Sequence, residues 1–147
     1  MKNIIEKPHL IFLILSPILF LVGYFSKKDT FDINIHDTYY VVEHSVVPIT
    51  ISLFFGIISF GYWLILKFNG KLSKILSITH ILLTIGGLLV IRILFELYRE
   101  PKAESLIFDY NFNDNLNMIT LIISLIILFG QIIYPINLFI GLMKRKK

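Results

Sequence analysis

The run His36-Asp37-Thr38-Tyr39-Tyr40-Val41-Val42-Glu43-His44 is the densest cluster of polar and aromatic side chains in the sequence and holds two of its four histidines. The adjacent imidazole and carboxylate of His36 and Asp37 can share a hard or borderline cation, with water in the remaining positions. Two ligands are too few for a specific site, so another chain has to complete it. The simpler reading is a hydrated interfacial turn anchored by Tyr39 and Tyr40. His44 differs from this pair. Val41-Val42 precede it and Val46-Val47 follow it, so it enters an apolar segment near headgroup depth, where an ionisable group is costly and takes a partner. A neutral imidazole there can ligate a haem iron. It can equally bond a carbonyl or water, and on local grounds that is the commoner outcome.

Membrane helices must position these residues. Hydrophobic residues make up 56% of the 147, with a mean hydropathy of +0.78, too apolar for an ordinary soluble domain. Four apolar runs are long enough to cross a core of ~30 Å: residues 9–25, 48–66, 75–95 and 118–143. The end of the first run, Gly23-Tyr24-Phe25-Ser26, lacks the pattern of small residues a cleavage site needs, so this run is expected to be a retained span and not a cleaved signal. Pro17 predicts a kink within it, and Pro135 predicts a break or tilt in the fourth. Tyr62 and Trp63 mark an interface at the end of the second, and Asn69-Gly70 marks the reversal after it. The stretches 27–43 and 96–117 are expected to be polar loops. One integral membrane domain is predicted for residues 1–147, with no soluble domain.

Charge sets the expected orientation. The N-terminus, the 67–74 turn and the C-terminal tail carry nine basic residues, against four in the other two loops. Both termini are therefore expected in the cytoplasm, with His36 to His44 on the outer face. The net charge of +4 flanks apolar runs instead of forming a stripe, which argues against a nucleic-acid partner. The lack of cysteine excludes disulfides, thiolate metal sites and iron–sulfur clusters. There is no phosphate-binding glycine loop, hydrolase triad pattern or metalloprotease helix. His80 and Arg92, near opposite ends of the third run, are expected to snorkel or to face a partner. Glu96, Glu100 and Glu104 interleave with Arg99 and Lys102 as a solvated helix end.

His36-Asp37-Thr38-Tyr39-Tyr40-Val41-Val42, with a histidine two positions on, resembles the signature at the start of the tenth helix of cytochrome c oxidase subunit I, in the haem–copper oxidase family. The pattern there reads H-D-T-Y-Y-V-V-A-H-F-H. Asp32-Ile33-Asn34-Ile35 is similar to the D-I-x-L that precedes it. Gly61-Tyr62-Trp63, Gly70, Leu72, Lys74 and His80 fall roughly where the tenth and eleventh helices of that family place comparable residues. The likeness covers residues 30–147. It implies an all-α membrane fold, N-in and C-in, whose last three of four helices pack like helices ten to twelve of that subunit. It further implies that His36 and Asp37 match the outer-face pair near a magnesium site, and His44 the axial ligand of the high-spin haem.

The departures bear on function. Val46 stands where the second haem's ligand would be, Glu43 replaces the spacer alanine, and Tyr98-Arg99-Glu100-Pro101-Lys102 keeps only one arginine of a propionate-binding pair. The copper-ligating histidines belong to helices this chain lacks, so oxygen reduction by the chain alone is not expected. Three readings follow. One is a non-catalytic accessory or remnant component beside a respiratory oxidase. Another is a haem-binding electron-transfer or sensing protein using His44. The third is a cofactor-free structural protein of the plasma or inner membrane, with lipid and other membrane helices as partners.

Overall fold

A backbone surrounded by hydrocarbon must satisfy its own hydrogen bonds, and a helix does so within one segment. The computed structural model describes residues 7–26, 30–35, 38–99 and 106–144. Among them, four helical stretches are long and apolar enough to cross a membrane: Pro8–Phe25, Val46–Lys67, Lys74–Glu96 and Ile107–Met143. The first three lie within two residues of the expected bounds. In chain order the elements are α1 (Pro8–Phe25), β1 (Thr30–Ile35), β2 (Thr38–Glu43), α2 (Val46–Lys67), α3 (Lys74–Ile81), a π-helical turn (Leu82–Gly86), α4 (Gly87–Glu96), α5 (Leu106–Gly130) and α6 (Ile133–Met143).

Two expectations change. Strands β1 and β2 pair antiparallel, from Thr30 opposite Glu43 to Ile35 opposite Thr38, so the fold is not purely helical. Their sequences, rich in β-branched and aromatic residues, suit a strand, and the two residues between them are a hairpin's length of connection. The fourth span is also longer than expected. Helix α5 already contains residues 106–117, read above as loop. Asp109 in its first turn complements the positive end of the helix dipole. The chain breaks at Gln131-Ile132, one turn before Pro135. A proline has no N–H to return to the carbonyl four residues back, and its ring crowds that carbonyl, here that of Gln131. Restarting at Ile133 puts Pro135 in the first turn of α6, where the missing donor is harmless.

The chain forms two compact units. One comprises residues up to Lys71 together with those from Gly141 onward, and the other is Leu72–Ile140. In the first, α1 and α2 run antiparallel. Along α2, Ser52, Phe55, Ile58, Ser59, Tyr62 and Ile65 are buried, a three-to-four-residue spacing that defines one face. Phe12 is fully buried against that face, edge-on to Phe55 at 5.1 Å and stacked with Tyr62 at 6.3 Å. Serines tie the pair together. The Ser16 hydroxyl donates to the Ser52 carbonyl (2.9 Å), and that of Ser59 to the His9 carbonyl (2.8 Å). Gly23 allows the closest approach, because a Cβ there would lie 2.6 Å from Ile49 Cγ1 and 3.0 Å from the Ser45 carbonyl oxygen. Leu53, Ile57 and Phe60 point outward. An apolar exterior around a partly polar interior is the arrangement a lipid solvent selects.

Candidate functional site

In the second unit, Ser73, Ser77, His80 and Thr84 recur at intervals of four, three and four, so they share one face of the third span. Gln131, Tyr134 and Asn137 recur every three residues at the α5–α6 break and in α6. The two sets meet in antiparallel order as a buried polar seam. The Asn137 carboxamide, with no exposed surface, accepts from the Ser73 backbone N–H (2.8 Å) and donates to the Ser77 hydroxyl (2.9 Å). Ser73 is the N-cap of α3 and its own side chain makes no capping bond, so Asn137 caps this helix from a distant part of the chain.

The second half of the seam centres on His80, also fully buried. Its Nε2 lies 3.0 Å from Gln131 Oε1, and its ring stacks on Tyr134 at 5.7 Å. The Gln131 amide nitrogen donates to Thr84 Oγ1 (3.0 Å) and to the Ile127 carbonyl (3.0 Å). A carbonyl can only accept, so the amide NH₂ must face Ile127 and the amide oxygen must face His80. His80 therefore carries a proton on Nε2. One amide thus fixes both its own orientation and the face that the imidazole presents. Of the two outcomes expected for His80, snorkelling or facing a partner, the structure shows the second: a glutamine on the neighbouring segment meets its ring nitrogen.

Thr84 sits in the π-helical turn, and the seam ends there; no residue of α4 is buried. The backbones are close at this level. A Cβ on Gly87 would lie 2.5 Å from Ile127 Cγ1, and one on Gly130 3.0 Å from Leu83 Cδ1. Small residues admit such an approach between membrane helices.

At the far end of this unit, the Asn113 side chain brackets the Arg99 backbone, accepting from its N–H (3.1 Å) and donating to its carbonyl (2.8 Å). The Arg99 guanidinium lies 3.9 Å over the Phe112 ring and 3.8 Å from Asp109. Tyr98 donates to the Asn117 side chain. Burial and the nearby Asp114 carboxylate raise the pKa of its phenol. Arg92 pairs with Glu96 one turn later, both exposed, so this ion pair adds little.

The residues singled out from the sequence fall elsewhere. His36 and Asp37 lie outside the described residues. His44 is exposed in the turn between β2 and α2, flanked by Glu43 and Ser45, whose side chains bond each other at 3.0 Å. Within the segment that resembles the start of an oxidase helix, Thr38–Glu43 is a strand, and helix begins only at Val46. Val46 and Val47, which follow His44, are exposed as well. Among the described residues, no three His, Cys, Asp or Glu side chains converge as metal ligands. No family model matches the chain, and no curated protein or solved structure matches it. The oxidase resemblance therefore rests on its own residues.

Composition does not reveal the seam, because its hydroxyls and carboxamides are scattered singly within apolar runs. Its signal is the spacing: two polar series, each confined to one face, on consecutive spans.

Proposed function

We propose that the chain is a multi-pass membrane protein of the cytochrome c oxidase subunit I-like class, with both termini in the cytoplasm, acting without chemistry of its own as an accessory component beside a respiratory oxidase. The observation that carries the accessory part is how the interior polar groups are used. Ser16, Ser59, Gln131 and Asn137 each bond a neighbouring segment, and this fixes how the helices pack. The link to an oxidase comes from the His36–Val42 resemblance. The orientation comes from the excess of basic residues on the side of the termini.

Affinity purification of the tagged chain in mild detergent should enrich oxidase subunits in fixed proportion. Recovery of the chain in its membrane-extracted form with no such enrichment would sink the accessory reading. Orientation has its own test, because Glu43 and Lys71 are both exposed and lie at opposite ends of α2. In intact cells, a membrane-impermeant maleimide should label Glu43→Cys and leave Lys71→Cys unlabelled until the membrane is opened. The reverse pattern would invert the assignment.

A further inference from the structure

We infer that one end of the first unit binds anionic phospholipid headgroups through Lys7, Lys67, Lys71 and Lys144; this rests on the helices spanning a bilayer. These lysines come from three distant parts of the sequence, and the fold gathers them. Lys7 precedes α1, and the contacts of His9 with Ser59 and of Phe12 with Tyr62 place that end of α1 beside the last turns of α2, which finishes at Lys67. The chain then turns through Asn69, which has a positive φ of 58°, and Gly70, whose N–H returns to the Ile65 carbonyl at 2.9 Å. The Lys71 N–H donates to the Gly141 carbonyl (3.3 Å), which holds the C-terminal stretch against this turn. Gly70 permits the contact, since a Cβ there would lie 2.7 Å from the Gly141 oxygen. Lys144 follows three residues later. All four lysines are exposed.

Concentrated like charge repels itself unless a counter-charge is supplied. The described residues at this end, 7, 67–71 and 141–144, contain four basic residues and no acidic one. Asp32 and Glu43 belong to the hairpin, next to the opposite end of α2. The depth of the cluster is marked independently. The Lys67 ammonium lies 4.6 Å over the half-exposed Trp63 ring, one turn back along α2, and tryptophan settles at the boundary between hydrocarbon and headgroups. Lysines one turn beyond that boundary, with others beside them, stand at the level of lipid phosphates. The partner with matching charge and position is a phospholipid whose headgroup carries net negative charge.

Trp63 is the sole tryptophan, so it reports on the lipid beside it. The full chain is reconstituted in phosphatidylcholine vesicles containing a fixed fraction of brominated phosphatidylglycerol or brominated phosphatidylcholine. Trp63 quenching is normalised to each sample's own unquenched emission. The brominated anionic lipid should quench as though it occupied the site with a preference of about fivefold per contributing lysine, and the preference should shrink as salt rises. The quadruple variant Lys7→Gln, Lys67→Gln, Lys71→Gln, Lys144→Gln should bring it near unity, whereas the matching quadruple arginine variant should keep it. Equal quenching of the wild type by both lipids overturns the inference. So does a preference that survives the glutamine substitutions or ignores salt. Quenching by neither lipid would instead refute the membrane-spanning reading, so the two failures are distinguishable. Quenching of the glutamine variant by brominated phosphatidylcholine shows that it is still inserted.

Discussion

Gln131→Leu should destabilise the second unit by about 1–2 kcal/mol, read as a lower midpoint in detergent unfolding. The amide it removes serves His80 and Thr84 and bonds the Ile127 carbonyl. Leucine fills similar volume, so the loss is of polar partners and not of packing. The His80 Nε2–H is then left in an apolar interior without its acceptor, and an orphaned buried group costs roughly 1–3 kcal/mol in a soluble protein. In membranes a single interhelical bond averages only about 0.6 kcal/mol, because the separated helices find other partners. Two side-chain partners on one amide place the expectation between these limits. The pair Gln131→Leu with His80→Leu separates the causes. Replacing both partners by apolar groups of similar shape is nearly neutral, so the double variant should recover part of the loss. A single variant as stable as wild type, or a double variant less stable than the single, would refute the role assigned to this amide.

Gly23→Leu should cost at least as much and should part α1 from α2 at that level. A Cβ at Gly23 would meet Ile49 Cγ1 at 2.6 Å, the Ser45 carbonyl oxygen at 3.0 Å and Pro48 Cγ at 3.1 Å. Two of those neighbours, a backbone oxygen and a proline ring, have little freedom to move. Overpacking of this kind costs about 1–3 kcal/mol or more, and leucine adds three further carbons to the clash. The local reporter is a cysteine pair at positions 16 and 52, where the serine oxygens lie 3.4 Å apart. Its cross-linking yield should fall sharply in the Gly23→Leu background and only modestly with alanine. An undiminished yield with leucine would show that the helices do not need this contact.

Much of this architecture could be read from hydropathy alone, because a membrane span is a property of composition over about 20 residues. The bounds of α1, α2 and the third span came out within two residues for that reason. The start of α5 did not, since residues 106–117 are polar and their helix is held by contacts that composition cannot express: Asn113 on the Arg99 backbone and Tyr98 on Asn117. The hairpin departs from the irregular loop expected of a polar linker, and its content of β-branched and aromatic residues is the strand signal there. His44 belongs to the motif richest in polar and aromatic groups, yet the histidine that the fold encloses is His80. Nothing beside His80 in the sequence announces a partner, because Gln131 lies 51 positions away.

The seam also bears on how the chain reaches its membrane. The third and fourth spans answer each other's polar groups: Ser77 with Asn137, and His80 and Thr84 with Gln131. The first two do the same through Ser16 with Ser52 and Ser59 with His9. Neither pair borrows a donor from the other for these bonds. Each therefore suits release from the insertion machinery as a hairpin, with these polar groups already paired when it meets lipid. Synthesis of the third span is the exposed moment, when Ser77, His80 and Thr84 await a strip of helix that the ribosome makes some fifty residues later.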